Sequence, residues 1–184
     1  KYIIMVGGFS ESLILQSAVQ NSFPKLYVLV AEDPGAAVLK GAVRVGHDPK
    51  IIESRRSAYT YGIETMTNFV EMYHNPIKMK IIDGKKKCSD TFSKFIEINK
   101  VIQINQTTVT KSFHPARFGQ TSAHLSVYRS ALENPRYVTD PGCEKIGGLI
   151  VQMPDLAGDK EREVEVSISV GETERRVEAA ATTT

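Results

Sequence analysis

Apolar and polar positions divide the 184-residue chain into two stretches of different period. The first opens on the apolar run Ile3-Ile4-Met5-Val6, turns at Gly7-Gly8, steps through Phe9-Ser10-Glu11-Ser12 and resumes with Leu13-Ile14-Leu15. That order predicts a strand, a tight turn and a helix start. Paired glycines remove the Cβ atoms that would hold a ligand off the backbone. The helix start presents unpaired N–H groups of partial positive charge. Leu26-Tyr27-Val28-Leu29-Val30 predicts a second strand, and Glu32-Asp33-Pro34-Gly35 a turn. Residues 36–46 then read as a small-residue helix ending at Gly46.

After Gly46 the pattern changes. His47-Asp48-Pro49-Lys50 breaks the helix, because a residue before proline avoids the α region. The connector 51–57 runs from Ile51-Ile52 into charged residues. From residue 58 apolar positions mostly alternate with polar ones between turn signals, the mark of an antiparallel β-sandwich. Tyr59–Ile63, Ile77–Ile82, Ala123–Tyr128, Gly148–Met153 and Glu163–Val170 are predicted strands. Asp83-Gly84 supplies the positive φ angles of a hairpin turn, and residues 173–179 pair back on the last strand. Phe92, Phe95 and Ile96 sit at helical spacing, so residues 90–96 read as a turn of helix or an irregular loop. The fold class expected is α+β: a short α/β segment at 1–48, a linker at 49–57 and a β-sandwich at 58–184.

Composition narrows the function classes. A hydrophobic content of 41% with 24% charged residues is ordinary for a globular protein. The net charge of +2 gives no reason to expect a nucleic-acid partner. Lys85-Lys86-Lys87 follows the hairpin turn and reads as a solvated tip. No segment approaches the roughly 20 apolar residues of a membrane span, so no membrane partner is expected. Cys88 and Cys143 lack metal-ligand spacing, which points to reduced thiols and a cytoplasmic setting. None of the four histidines neighbours a nucleophile motif, so neither a metal nor a catalytic residue is expected.

The quoted segments carry a family resemblance. Gly7-Gly8-Phe9-Ser10-Glu11-Ser12, together with the stretch from Asp33 to Gly46, resembles the last nucleotide-lobe motif of the heat-shock 70 kDa chaperones within the actin-like ATPase superfamily. The wording is closer to the divergent 12A/12B branch than to the ordinary chaperones. Tyr61-Gly62-Ile63-Glu64-Thr65-Met66 is similar to the opening of that family's peptide-binding β-domain, and residues 119–130 and 162–183 fit its later strands.

The resemblance implies an adenosine-side loop at Gly7, Gly8, Phe9, Ser10 and Glu11. It implies a peptide groove with Ile63, Thr65 and Met66 on one segment and Gln120 and Ala123 on a second, residues 113–123. Unfolded or extended polypeptides are the implied partners. ATP or ADP with Mg²⁺ is implied only for a longer parent chain, since the phosphate and metal motifs are not among these residues. No cofactor and no ATP hydrolysis are expected of the chain by itself. The sequence departs from the ordinary family where Phe9 and Glu11 replace Ser and Arg, and where Gly35 replaces Asp; a Glu does not stack and donate as an Arg does. Those departures keep a second reading open, a regulatory interaction module with one dedicated protein partner and a vestigial nucleotide lobe. A third reading is an active ATPase in the complete protein.

Overall fold

The computed structural model describes residues 1–104, 108–117, 119–153, 162–170 and 175–183. Its contacts divide the chain into two compact units, Lys1–Glu53 and Ser54–Thr184. The described residues form two α-helices and predominantly antiparallel strands, an α+β protein.

In the first unit, strand β1 (Tyr2–Met5) pairs in parallel with β2 (Tyr27–Val30). Helix α1 (Leu13–Ser22) lies between them in sequence and α2 (Pro34–His47) follows. Ser12 caps α1, its hydroxyl accepting from the Leu15 N–H at 3.4 Å. Pro34 sits at the start of α2, where its missing N–H costs nothing. Ile3, Met5, Val28 and Val30 are half-buried, while Tyr2, Ile4, Tyr27 and Leu29 are exposed. The Tyr2 and Tyr27 rings lie 5.6 Å apart.

The second unit is a β-sandwich. Strands β3 (Ser54–Arg56), β4 (Thr60–Asn68), β5 (Met79–Ile82), β6 (Lys85–Ile96) and β7 (Val101–Gln103) are followed by β8 (Thr108–Phe113) and β9 (Ser122–Ser130). The chain closes with β10 (Cys143–Gln152), β11 (Arg162–Val170) and β12 (Arg175–Thr183). One sheet has the order β10-β9-β4-β6-β5 and faces the sheet β12-β11-β8 across a shared core. Tyr61, Ile63, Phe95, Ile96, Leu125 and Val127 come from the first sheet; Val164, Val166, Ile168 and Val170 come from the second. Along β11 the valines and isoleucine are buried while Glu163 and Glu165 are not, the alternation expected of a half-covered strand.

Asp83 (φ 49°) and Gly84 (φ 73°) form the β5–β6 hairpin turn as expected, and β12 pairs back on β11. Residues 54–56 of the expected linker are strand β3, which pairs with β7; neither was foreseen. The expectation for residues 90–96 is overturned: they are the second half of β6. Two irregularities explain the misleading spacing. Tyr61 pairs with Ile96 but Gly62 with Lys94, so Phe95 is an extra, bulged residue. The bulge lets Phe95 and its neighbour Ile96 both be buried, as a plain strand does not allow. Phe92 is buried on a different contact, its ring lying over Gly62, where a Cβ would stand 2.3 Å from it, and its N–H donates to the Arg136 carbonyl at 2.9 Å.

Candidate peptide groove and glycine loop

Strand β4 has two partners only over its first half. Residues 60–63 pair with residues 130–127 of β9, and the pairing then stops. β4 continues to Asn68 along β6, while β9 continues away along β10 to Ser122. The two strands therefore splay into a fork. Residues 64–68 and 122–126 each keep one backbone edge that no strand covers among the described residues. Each bare edge spans five residues, roughly 17 Å of extended chain.

A cavity of about 760 Å³ occupies this fork. Glu64, Thr65, Met66, Thr67 and Asn68 form one wall, and Ala123, His124 and Leu125 another. Phe113 and Val164 belong to the facing sheet, and Pro115, Ala116, Arg117 and Gln120 to the segment between β8 and β9. Met66 remains 43% exposed inside the cavity. Its aim has a local cause. Thr65 pairs with Thr91 and Thr67 with Cys88, so Ser89 and Asp90 of β6 together oppose Met66 alone. Such a bulge re-aims side chains at a sheet. Asp90 takes a positive φ of 59°, and its carboxylate is held by Lys78 at 2.9 Å.

Gln120 is anchored by two bonds. Its amide nitrogen donates to the Ser122 carbonyl at 2.7 Å and its amide oxygen accepts from the Ala116 N–H at 3.1 Å. Arg162 donates to the Gln120 carbonyl at 2.8 Å. Near the closed end of the fork, the Tyr128 hydroxyl donates to Glu64 at 3.4 Å. Burial and the Glu64 charge together raise the Tyr128 pKa above the ordinary phenol value. Thr65, Met66, Gln120 and Ala123 thus share one cavity. Ile63 does not join them: it has no exposed surface and packs between the sheets, so that expectation is corrected. Leu125 and Asn68, which the sequence reading did not single out, line the cavity in its place, beside Phe113, the first residue of the expected second segment. Of these, only the alternation of residues 123–128 offered a signal, by turning Leu125 to the same face as Ala123.

In the first unit the glycine loop and the proline turn lie together. The Gly7 N–H donates to the Pro34 carbonyl at 2.6 Å, and a Cβ on Gly35 would stand 3.9 Å from the Gly8 Cα. Gly7 has φ 93°, which requires glycine, whereas a Cβ on Gly8 would meet nothing within 4 Å. Residues 8–11 form a short 3₁₀ turn. Ser10 is buried, its hydroxyl donating to the Gly7 carbonyl at 2.6 Å and its carbonyl accepting from Gln16 at 2.9 Å. Phe9 is 75% exposed and Glu11 is exposed.

Among the described residues no cluster of histidine, cysteine and carboxylate side chains is placed to hold a metal ion. No helix among them is long and apolar enough to cross a membrane. Both cysteines are unbridged, and burial raises the Cys88 thiol pKa.

No protein-family model matches the chain. The mouse protein named heat shock 70 kDa protein 12A is 36% identical over 188 residues, covering 100% of this chain. Human heat shock 70 kDa proteins 12A and 12B are 35% and 36% identical, each over 97% of it. The chain is a relative of the heat shock 70 kDa 12A and 12B proteins. It spans 27–28% of the length of these relatives, so the 12A/12B likeness concerns one part of a much longer protein.

Proposed function

We propose that the second unit binds extended, apolar polypeptide segments in a chaperone-like manner, with the ligand lying as an added strand in the fork between β4 and β9. The bare edges of residues 64–68 and 122–126 carry this reading. An extended segment satisfies those donors and acceptors through its own backbone, which gives affinity without sequence preference. Its alternate side chains face Met66, Phe113, Ala123 and Leu125. Met66 is unbranched and polarisable, so it adapts to different apolar side chains. Gln120 supports the reading as a fixed polar group on the second wall. In a longer parent protein, Gly7, Gly8, Phe9, Ser10 and Glu11 would form the adenosine side of an ATP or ADP site, with Phe9 offering a ring to stack on a base.

The test is fluorescence anisotropy of a labelled Leu-rich heptapeptide titrated with the 184-residue chain. Saturable micromolar binding is the expected outcome. Failure of every apolar peptide to bind leaves the second reading, an interaction module with one dedicated partner. A specific observation favours that alternative for the first unit: the Ser10 hydroxyl is spent on the Gly7 carbonyl, and no Arg stands beside the loop where Glu11 does.

A further inference from the structure

The turn that follows strand β4 is closed by a histidine. Phe69 continues the pairing of β4 with β6, its N–H donating to the Lys86 carbonyl at 3.0 Å. The chain then reverses over residues 70–74. The N–H groups of Tyr73 and His74 donate to the Val70 carbonyl at 3.3 and 3.0 Å, and the Val70 N–H donates in return to Nδ1 of His74 at 3.0 Å. An imidazole nitrogen accepts a hydrogen bond only while it carries no proton, so the closed turn requires a neutral ring with its hydrogen on Nε2. The ring is half-buried, 5.7 Å from the Phe69 ring and 4.9 Å from the Tyr73 ring. Met72, inside the turn, takes φ 67° with its side chain wholly exposed. A methionine adopts that left-handed conformation only where surrounding bonds impose it.

The far half of the loop is anchored elsewhere. Arg136 stacks on the Tyr73 ring and donates to the Tyr73 carbonyl at 2.9 Å, and the Asn75 N–H donates to the Tyr137 hydroxyl at 2.9 Å. The near half, residues 69–72, joins β4 and depends on His74. Glu71 adds an exposed ion pair with Lys86, a kind of contact that contributes little. The other carboxylates on the elements around the turn are held away from the ring: Asp90 of β6 pairs with Lys78, and Asp140 accepts from the Arg136 and Tyr137 N–H groups. None of them replaces the lost bond when the imidazole charges.

We infer that His74 is an acid-sensitive latch on the groove: its protonation removes the acceptor of the Val70 N–H, opens the turn and frays the adjoining bare edge of residues 64–68. The inference rests on the peptide-binding reading above and gives that site its regulation. Neutral pH keeps the edge formed and the ligand held; mild acid releases it.

The first arm of the experiment follows the His74 ring nitrogens and the Val70 amide by nitrogen-15 NMR in the full 184-residue chain from pH 8 to pH 5, the range in which imidazole titrates. The expected result is an unprotonated Nδ1 at the upper end. As His74 takes up its proton, the protection of the Val70 amide from exchange should fall roughly three- to tenfold while β11 keeps its own. A proton on Nδ1 at pH 8, or Val70 protection that does not follow the His74 titration, overturns the inference whether or not any peptide binds. The second arm is release of the labelled Leu-rich heptapeptide at pH 7.5 and pH 5.5, read by stopped-flow anisotropy. Glu64, His114 and His124 line the groove itself, so the parent is compared with His74→Gln, whose amide oxygen accepts from the Val70 N–H at either pH. Release is expected to quicken roughly three- to tenfold at pH 5.5 in the parent and less than about twofold in His74→Gln. Equal acceleration in both assigns the acid effect to the groove side chains and overturns the latch. If no peptide binds at either pH, the peptide reading falls and control of the groove falls with it, even where the Val70 amide behaves as expected.

Discussion

Truncating Met66 to Ala separates ligand contact from folding. Met66 keeps 43% of its surface exposed in the cavity, and this is the share a ligand can cover. Fully burying a methionine gains about 1.5–3 kcal/mol, so covering 43% gains about 0.6–1.3 kcal/mol, roughly a three- to ninefold change in Kd. The share already buried is lost from stability instead, below about 2 kcal/mol, a Tm shift of only several degrees. Met66→Leu, which conserves volume, is expected to restore binding. Met66→Glu is expected to abolish it, since a charge would replace the apolar contact that a ligand side chain makes beside Phe113 and Leu125. The assay is anisotropy with the labelled Leu-rich heptapeptide at a temperature where circular dichroism shows each variant folded. A Met66→Ala Kd within about twofold of the parent value would refute the placement of the ligand against this wall.

The converse holds one turn of the pleat away. Ile63→Ala removes a side chain with no exposed surface and is expected to cost about 2–5 kcal/mol in urea denaturation; a loss under about 1 kcal/mol contradicts its place in the core. Gly62→Ala puts a Cβ 2.3 Å from the Ser93 carbonyl and 2.3 Å from the Phe92 ring, for an expected loss of about 1–3 kcal/mol. Lys78 holds the Asp90 carboxyl below its ordinary pKa, so its contribution is complete above about pH 4 and lost as pH falls through the folded value. The urea midpoints of the parent and Lys78→Met should therefore keep a constant gap from pH 7 to about pH 4 and converge as pH falls below it, and a gap that stays constant down to about pH 2 would contradict the linkage. In native alkylation Cys143, half-buried, is expected to react before the buried Cys88; simultaneous labelling would indicate opening of β6.

What the sequence disclosed follows from which physical rules act locally. The alternation of residues 163–170 and the Asp83-Gly84 turn are set by neighbours in sequence, and both are found as read. Residues 90–96 were misread because a bulge at Phe95 inserts one residue, and the buried apolar positions then fall at 92, 95 and 96 as on a helix. Bulges depend on the partner strand, so no window of residues 90–96 contains the signal. The pairing of β3 with β7 joins segments more than forty residues apart and left no mark on either. Thr65, Met66, Gln120 and Ala123 were reached through resemblance, and their shared cavity depends on where β4 and β9 part. That point is set by register, which single-strand patterning does not encode. Ile63 failed as a groove residue for the same reason, being the last residue of β4 still paired with β9.

On the proposed reading, the fork lets one strand serve both core and ligand. Burial along β4 falls from its first residues to its last: residues 60–63 are buried and residues 66–68 are exposed. The first half is clamped by β9 and β6 together, with Ile63 locked into the shared core. The second half hangs on β6 alone, and there the Ser89–Asp90 bulge, pinned by Lys78, sets the direction of Met66. A rigid root and a singly paired tip are what a strand-adding ligand needs, because it pays little to displace anything and finds its register fixed at the closed end. Weakening the pin without touching the cavity should therefore loosen ligand register before it loosens the fold. Lys78→Met is the perturbation that does so: Lys78 is absent from the cavity wall, yet its removal takes away the ion pair of Asp90 opposite Met66. Faster peptide release at pH 7 with the core transition still cooperative is the expected outcome, read by stopped-flow anisotropy. An unchanged release rate would mean that the bulge holds its shape without Lys78 and that the Met66 direction is set by β4 itself.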